Sequence, residues 1–271
     1  MTTTIGAVAL PQLPPERLRD VALAADEAGL DELWLWEDCF LAGGIATAAA
    51  VLAWTTRLKV GVGLLPVPLR NVALTAMEVA ALHRLFPGRV TIGVGHGVQD
   101  WMGQVGARVE SPMTLLREYV TALRSLLDGS KVTVSGRYVH LDGVALDWPP
   151  SSPVPLLIGA EGPRTLRLAG EIGDGVILTG GTTPEKVRAA REVIGSGRLV
   201  VYVHAPTDPD AAERERLRWG YPSIEDRMIV GDFALADRWA DAGADTVVLQ
   251  PTPDDPDPEG FVRLVSGHGG R

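Results

Sequence analysis

Glu37, Asp38 and Cys39 stand side by side directly after the apolar run Leu33-Trp34-Leu35-Trp36, and His96 stands between Gly95 and Gly97 after Ile92-Gly93-Val94. A carboxylate in a partly dry pocket has its pKa raised toward neutrality and can exchange protons with a substrate; an imidazole can donate to a substrate oxygen or take its proton. Asp38, Glu37 and His96 are therefore the candidate acid-base residues. Each also has a plainer reading: the carboxylates can cap the next helix, and the histidine can be a hydrogen-bonded structural group. Cys39 is the chain's one cysteine, and it reads as a small apolar contact near the site, without nucleophilic work.

A further stretch, Gly159-Ala160-Glu161-Gly162-Pro163, joins the run Leu156-Leu157-Ile158 to a short helix and a second run, Gly175-Val176-Ile177-Leu178. Proline at the first helical position and glycines before it describe a β-turn-α-β unit. Gly159 and Gly162 let the backbone approach a ligand, and free N–H groups with a positive dipole end favour a phosphate. The alternative is a tight turn whose glycines serve packing alone.

These candidates all follow short apolar runs. The runs are 5–10, 32–36, 59–64, 89–94, 155–158, 175–178, 199–203 and 246–249. They alternate with helical patterns, and eight such repeats predict a parallel (β/α)8 TIM barrel, taken as one domain over 1–271. Pro14-Pro15-Glu16 opens one helix, whose inward residues are Leu18, Val21, Ala22 and Ala25 and which Gly29 ends. The helices after the second and third runs, 45–54 and 74–85, have little polar face. They predict either a homodimer interface or unusually broad packing within the barrel.

The spacing breaks twice, giving insertions after strands 4 and 7. The first holds a glycine-rich loop, a helix over 112–127 and a hairpin turning at Ser135-Gly136; the second holds the mixed-charge helix 208–218. Because βα loops build barrel active sites, both insertions are expected to cap the catalytic face. Glycines beside several strand ends suit a broad, flat, phosphorylated ligand of flavin type. Trp101 and Met102 are expected to wall the pocket, and the other tryptophans to lie in the core.

With 25 Lys+Arg against 34 Asp+Glu the net charge is −9, and without a basic block a nucleic-acid partner is not expected. One cysteine excludes an intrachain disulfide, and His83, His140, His204 and His268 lack metal-ligand spacing. The start, Met1-Thr2-Thr3-Thr4-Ile5, has no basic-then-apolar pattern and no run approaches membrane-spanning length. The expectation is a soluble, unprocessed cytoplasmic protein acting on a small molecule, with no membrane partner.

The combination of Trp34-Leu35-Trp36-Glu37-Asp38-Cys39-Phe40, Gly61-Val62-Gly63-Leu64 with Arg70-Asn71, Gly93-Val94-Gly95-His96-Gly97, Trp101-Met102 and Ile158-Gly159-Ala160-Glu161-Gly162-Pro163 resembles the luciferase-like monooxygenase superfamily, within it the branch that uses coenzyme F420, a 5-deazaflavin. The resemblance implies an oxidoreductase, a dehydrogenase or reductase, that moves a hydride between the deazaflavin and a small organic substrate. It places the cofactor's phosphate on the amides of Ala160, Glu161, Gly162 and Pro163, the ring beside His96, Gly97 and Cys39, and the tail near Thr179 and Gly180. It also implies a bulge with a cis peptide near Gly63-Leu64 under the ring. Two positions depart from the pattern: Cys39 where some members carry histidine, and Val98 where members that oxidise sugar phosphates carry glutamate.

Three rivals remain. An aldolase is argued against by the three lysines, since Lys59 and Lys131 begin strands and Lys186 lies on a helix. An FMN-dependent monooxygenase of the same fold would need oxygen and a flavin reductase. A flavin-binding barrel without turnover is the third.

Overall fold

The computed structural model describes residues 3–267. β1 (Thr4–Val8) leads into α1 (Leu18–Ala28), β2 (Glu32–Leu35) into α2 (Gly44–Trp54), β3 (Lys59–Pro66) into α3 (Val72–Leu85), and β4 (Val90–Gly95) into the short α4 (Gln99–Gln104) and then α5 (Pro112–Leu127). A hairpin of β5 (Val132–Ser135) and β6 (His140–Val144) follows. After it come β7 (Leu156–Gly159), α6 (Pro163–Ile172), β8 (Gly175–Leu178), α7 (Pro184–Ile194), β9 (Arg198–His204), α8 (Pro209–Trp219), α9 (Asp237–Ala240), β10 (Thr246–Gln250) and α10 (Pro258–Ser266). All strands but the hairpin close into a parallel barrel in the order β1-β10-β9-β8-β7-β4-β3-β2, the predicted architecture.

Local sequence explains the element ends. Gly29 stops α1 in the left-handed conformation at φ 92°, which costs glycine nothing. The Asn71 side chain accepts the Ala73 amide to start α3, and proline opens α5, α6, α7, α8 and α10. Between the barrel and its helices lies one apolar layer, and inside the barrel Val8, Trp34, Leu157, Ile177, Val200, Tyr202 and Val248 pack together. At the amino ends of the strands, the Arg198 guanidinium crosses the interior to both oxygens of the buried Glu32 (2.6 and 2.8 Å), to Thr246 Oγ1 (2.9 Å) and to Thr91 Oγ1 (3.3 Å). Trp34 Nε1 donates to the same carboxylate at 3.0 Å, so the floor of the barrel is a satisfied polar network.

The hairpin corrects one expectation. It does not cap the mouth: the Glu118 carboxylate on α5 accepts the amides of Arg137, Tyr138 and Val139 (2.8, 2.8 and 3.1 Å), holding the turn against the outside of that helix. The Tyr138 hydroxyl also accepts the Ser111 amide at 2.9 Å. α5 itself is the ordinary crossover, packed between α3 and α6. The tryptophans correct another. Trp34 and Trp239 are fully buried, but Trp148 is 71% exposed under the Arg84 guanidinium, Trp219 is 52% exposed and Trp54 37%. The outer faces of α2 and α3 leave Trp54, Leu74, Met77 and Leu85 in solvent. Among the described residues no helix is long and apolar enough to cross a membrane.

Candidate active site

The mouth of the barrel is built around an interruption in β3. Its pairing with β4 shifts register between Val62 and Leu65, which puts Gly63 and Leu64 outside the regular ladder. The Gly63–Leu64 peptide is cis, as the resemblance implied, and Cys39–Phe40 is a second cis peptide that the sequence did not announce. Leu64 lies across two neighbouring strand ends: a Cβ on either Gly95 or Gly159 would overlap its side chain. Beneath it the Tyr202 hydroxyl donates to the Gly63 carbonyl at 3.3 Å. The Tyr202 ring meets Trp34 and Trp36 edge-on, with centroids 5.9 and 5.4 Å apart.

At the end of β2 the two carboxylates differ. Glu37 is engaged on both oxygens, by Arg70 Nη1 at 3.0 Å and by the Gly44 amide at 2.7 Å, while Arg70 also pairs with Glu78. Glu37 thus ties β2 to the starts of α2 and α3, the capping alternative its sequence position allowed. Among the described residues Asp38 has no side-chain partner of this kind, and burial raises its pKa. Cys39 is half-buried, and burial, followed by the charges of Glu37 and Asp38, pushes its thiol up.

His96 follows β4, its loop shaped by Gln99, whose side-chain amide donates to the carbonyls of His96 and Gly97 at 3.2 and 3.3 Å. Burial lowers the His96 pKa against an opposing contact from the Pro112 backbone, and its Nδ1 is buried without a hydrogen-bond partner. Gly97 takes φ 66°, and a Cβ there would press on Pro66 at 2.9 Å and on Met102 at 3.2 Å. Met102 is therefore buried packing under the loop, while Trp101 is half-buried.

At the β7 end, the amides of 160–163 are not equivalent. Ala160 N–H is spent on the Ile177 carbonyl at 3.1 Å, and Pro163 has no N–H. The free donors at the start of α6 are therefore Glu161, Gly162, Arg164 and Thr165, the last two missed by the sequence reading. No side chain caps α6, and a Cβ on Gly162 would meet nothing within 4 Å, so the turn has room for an anion. The Glu161 side chain is committed to the Thr179 hydroxyl at 2.9 Å. Gly180 and Gly181 complete this rim: Gly180 packs against His204 Nε2 and Gln250 Oε1, which a Cβ would meet at 2.7 and 3.1 Å.

The second insertion reaches the mouth and brings groups that its charged composition does not announce. Gly220 turns the chain back at φ 66° after α8. Tyr221 then contacts His204 Nε2 at 3.2 Å and the Gly180 carbonyl at 3.3 Å, and Arg227 donates to the Gly181 carbonyl at 2.9 Å. Burial, helped by Arg218, holds the His204 pKa down to about 4. Among the described residues no three His, Cys, Asp or Glu side chains could share a metal ion; His268 lies outside them.

The chain is 31% identical over 195 residues to the 5,10-methylenetetrahydromethanopterin reductase of Methanolobus tindarius, covering 72% of this chain and 59% of that one. It is 34% identical over 188 residues to the F420-dependent glucose-6-phosphate dehydrogenase of Nakamurella multipartita, covering 64% and 55%. It thus spans less than two thirds of the length of either relative. The coenzyme F420 dependent tetrahydromethanopterin reductase of Methanopyrus kandleri shares the fold, with a TM-score of 0.84 at 21% identity over 99% of this chain and 98% of that one. The pattern of the luciferase-like monooxygenases matches residues 2–246, and it is to this family that the chain belongs.

Proposed function

We propose that the chain is an oxidoreductase that uses coenzyme F420 to move a hydride to or from a small, largely apolar organic substrate at the barrel mouth. The observation that carries this reading is the pairing of a flat, glycine-edged floor, with Leu64 lying over Gly95 and Gly159, and an uncapped α6 whose amides open onto free space at Gly162. Such a rim suits a planar ring joined to a phosphate. The names of the relatives support the deazaflavin over FMN. Leu64, Cys39 and Gly97 would lie against the ring; Glu161, Gly162, Arg164 and Thr165 would offer amides to the phosphate, with Thr179 and Gly180 along the tail.

When bound, the deazaflavin supplies the hydride acceptor or donor. The chain's own residues handle the proton. If the substrate carbon bears a hydroxyl, loss of hydride from carbon must be matched by loss of a proton from oxygen, leaving a carbonyl. His96, kept neutral by burial, is the base in that direction and the returning acid in the other. Asp38, whose carboxyl burial holds protonated to higher pH than usual, is the second proton carrier. Glu37 serves as a positioning residue for β2 and α2. Two copies pair through α2 and α3, and the protein works in the cytoplasm on a small molecule.

The test is titration of the purified protein with F420 and, separately, FMN, followed by tryptophan quenching. F420 binds the wild type, and Gly162→Leu weakens it by about tenfold or more with the melting temperature as the control for folding, since a Cβ at this position meets nothing within 4 Å. Binding of FMN alone would transfer the reading to a flavin monooxygenase. Binding of neither would remove it.

A further inference from the structure

Trp219 is half exposed yet held in place. Its Nε1 donates to Glu215 Oε2 at 2.7 Å; Glu215 is buried and also pairs with Arg218 at 3.4 Å. The Trp219 ring lies within 13° of parallel to Tyr221, with centroids 6.4 Å apart, and 5.6 Å from the His204 ring. Tyr221 lies beside the ring and the Arg218 guanidinium is 5.9 Å from its centroid, yet the residue keeps 52% of its surface in solvent. It is a preformed surface for another flat ring.

The Tyr221 hydroxyl adds a polar feature beside this surface. With its proton on the Gly180 carbonyl at 3.3 Å, the Tyr221 oxygen accepts the 3.2 Å contact from His204 in the tautomer that carries hydrogen on Nε2. His204 is neutral above about pH 4 and then carries a single N–H. One acceptor site on the Tyr221 oxygen then has no partner among the described residues. Arg227 stacks over the same ring at 5.1 Å, which fixes the ring without using that site.

We propose that Trp219 and Tyr221 form the substrate-specificity wall of the mouth, selecting a planar, conjugated substrate that stacks on Trp219 and presents an N–H or O–H donor to the Tyr221 oxygen. The inference rests on the reading of the mouth as the active site, and it narrows the substrate from small organic molecules in general to flat hydrogen-bond donors. His204 is a positioning residue, since it acts through Tyr221.

The probes are 4-quinolone, a flat bicycle with one N–H; its N-methyl form, which lacks that donor; and decahydroquinolin-4-one, which is not flat. Their affinities are measured by ligand-observed saturation-transfer NMR on the whole chain, with F420 present and absent. Wild type binds 4-quinolone about three- to tenfold more tightly than either comparison compound. Trp219→Ala abolishes the preference for the flat ring and Trp219→Phe keeps part of it; Tyr221→Phe abolishes the preference for N–H over N-methyl. Equal binding of all three compounds to wild type, or unchanged quinolone binding by Trp219→Ala, overturns the inference. F420 affinity is read in the same samples. Failure of wild type to bind F420 while the quinolone preference persists overturns the cofactor reading and leaves the wall supported.

Discussion

Arg70 grips both carboxylate oxygens of Glu37 at 3.0 Å, joining the end of the second strand to the start of the third helix across 33 positions of sequence. The two side chains are only 15% and 10% exposed, so removing one leaves the other charge poorly solvated. Glu37→Ala is expected to lower unfolding free energy by about 3 kcal/mol, read by urea denaturation. Arg70→Met combined with Glu37→Leu should recover most of that loss. If Glu37→Ala instead abolishes turnover while leaving stability intact, the positioning role is wrong.

The pH dependence of stability follows from His204. Its pKa lies at about 4 in the folded protein and near the ordinary 6.5 in the unfolded chain. Between these values the unfolded chain binds more protons, so stability that is complete above pH 6.5 falls as pH drops toward 4, by about 3 kcal/mol. Burial lowers His83 and His96 as well, adding slopes of the same sign. His204→Gln should flatten the profile in thermal melts taken across that range. An unchanged slope would mean that the imidazole is not desolvated.

Asp38 has the opposite sign. Because burial raises its folded pKa, the folded state binds the extra proton, and stability declines as pH rises through the raised value. Asp38→Asn is expected to be more stable than wild type at neutral pH and to lose turnover. The two readouts separate a proton carrier from a structural carboxylate, whose loss would lower both.

Gly63 is fixed by what lies opposite. A Cβ there would overlap the Tyr202 hydroxyl and meet Trp34 at 3.1 Å, so Gly63→Ala should cost about 1–3 kcal/mol. Removing the hydroxyl with Tyr202→Phe should return part of it. A double-mutant cycle with no coupling between the two positions would contradict the contact.

Leu74 and Met77, 48% and 60% exposed on α3, are the test of pairing. Sedimentation should find a dimer for wild type and a monomer for the Leu74→Glu, Met77→Glu variant, with an unchanged circular dichroism spectrum. A monomeric wild type would assign these residues to another role.

The barrel was legible because parallel strands buried on both faces leave short Val, Ile and Leu runs, and because glycine and proline mark the turns between them. The strand-end residues Asp38, His96, Gly159 and Thr179 were legible for the same reason, since a strand's last residue is read from its pattern. What sequence could not give depends on distant partners. Glu118 clasps a hairpin about twenty residues on, so the insertion's length was visible and its direction was not. Ala160 resembles its neighbours in the turn until the Ile177 carbonyl takes its amide. Trp219 and Tyr221 sit at the end of a charged helix whose composition spoke only of solvent.

The Arg198–Glu32 network closes the barrel at the amino ends of its strands, and the Trp34 and Tyr202 rings fill the space above it. The barrel is thus closed from below and filled by packed rings, so a planar ring seated over Leu64 would be reachable from one face only, and any reaction there would be stereochemically one-sided by construction.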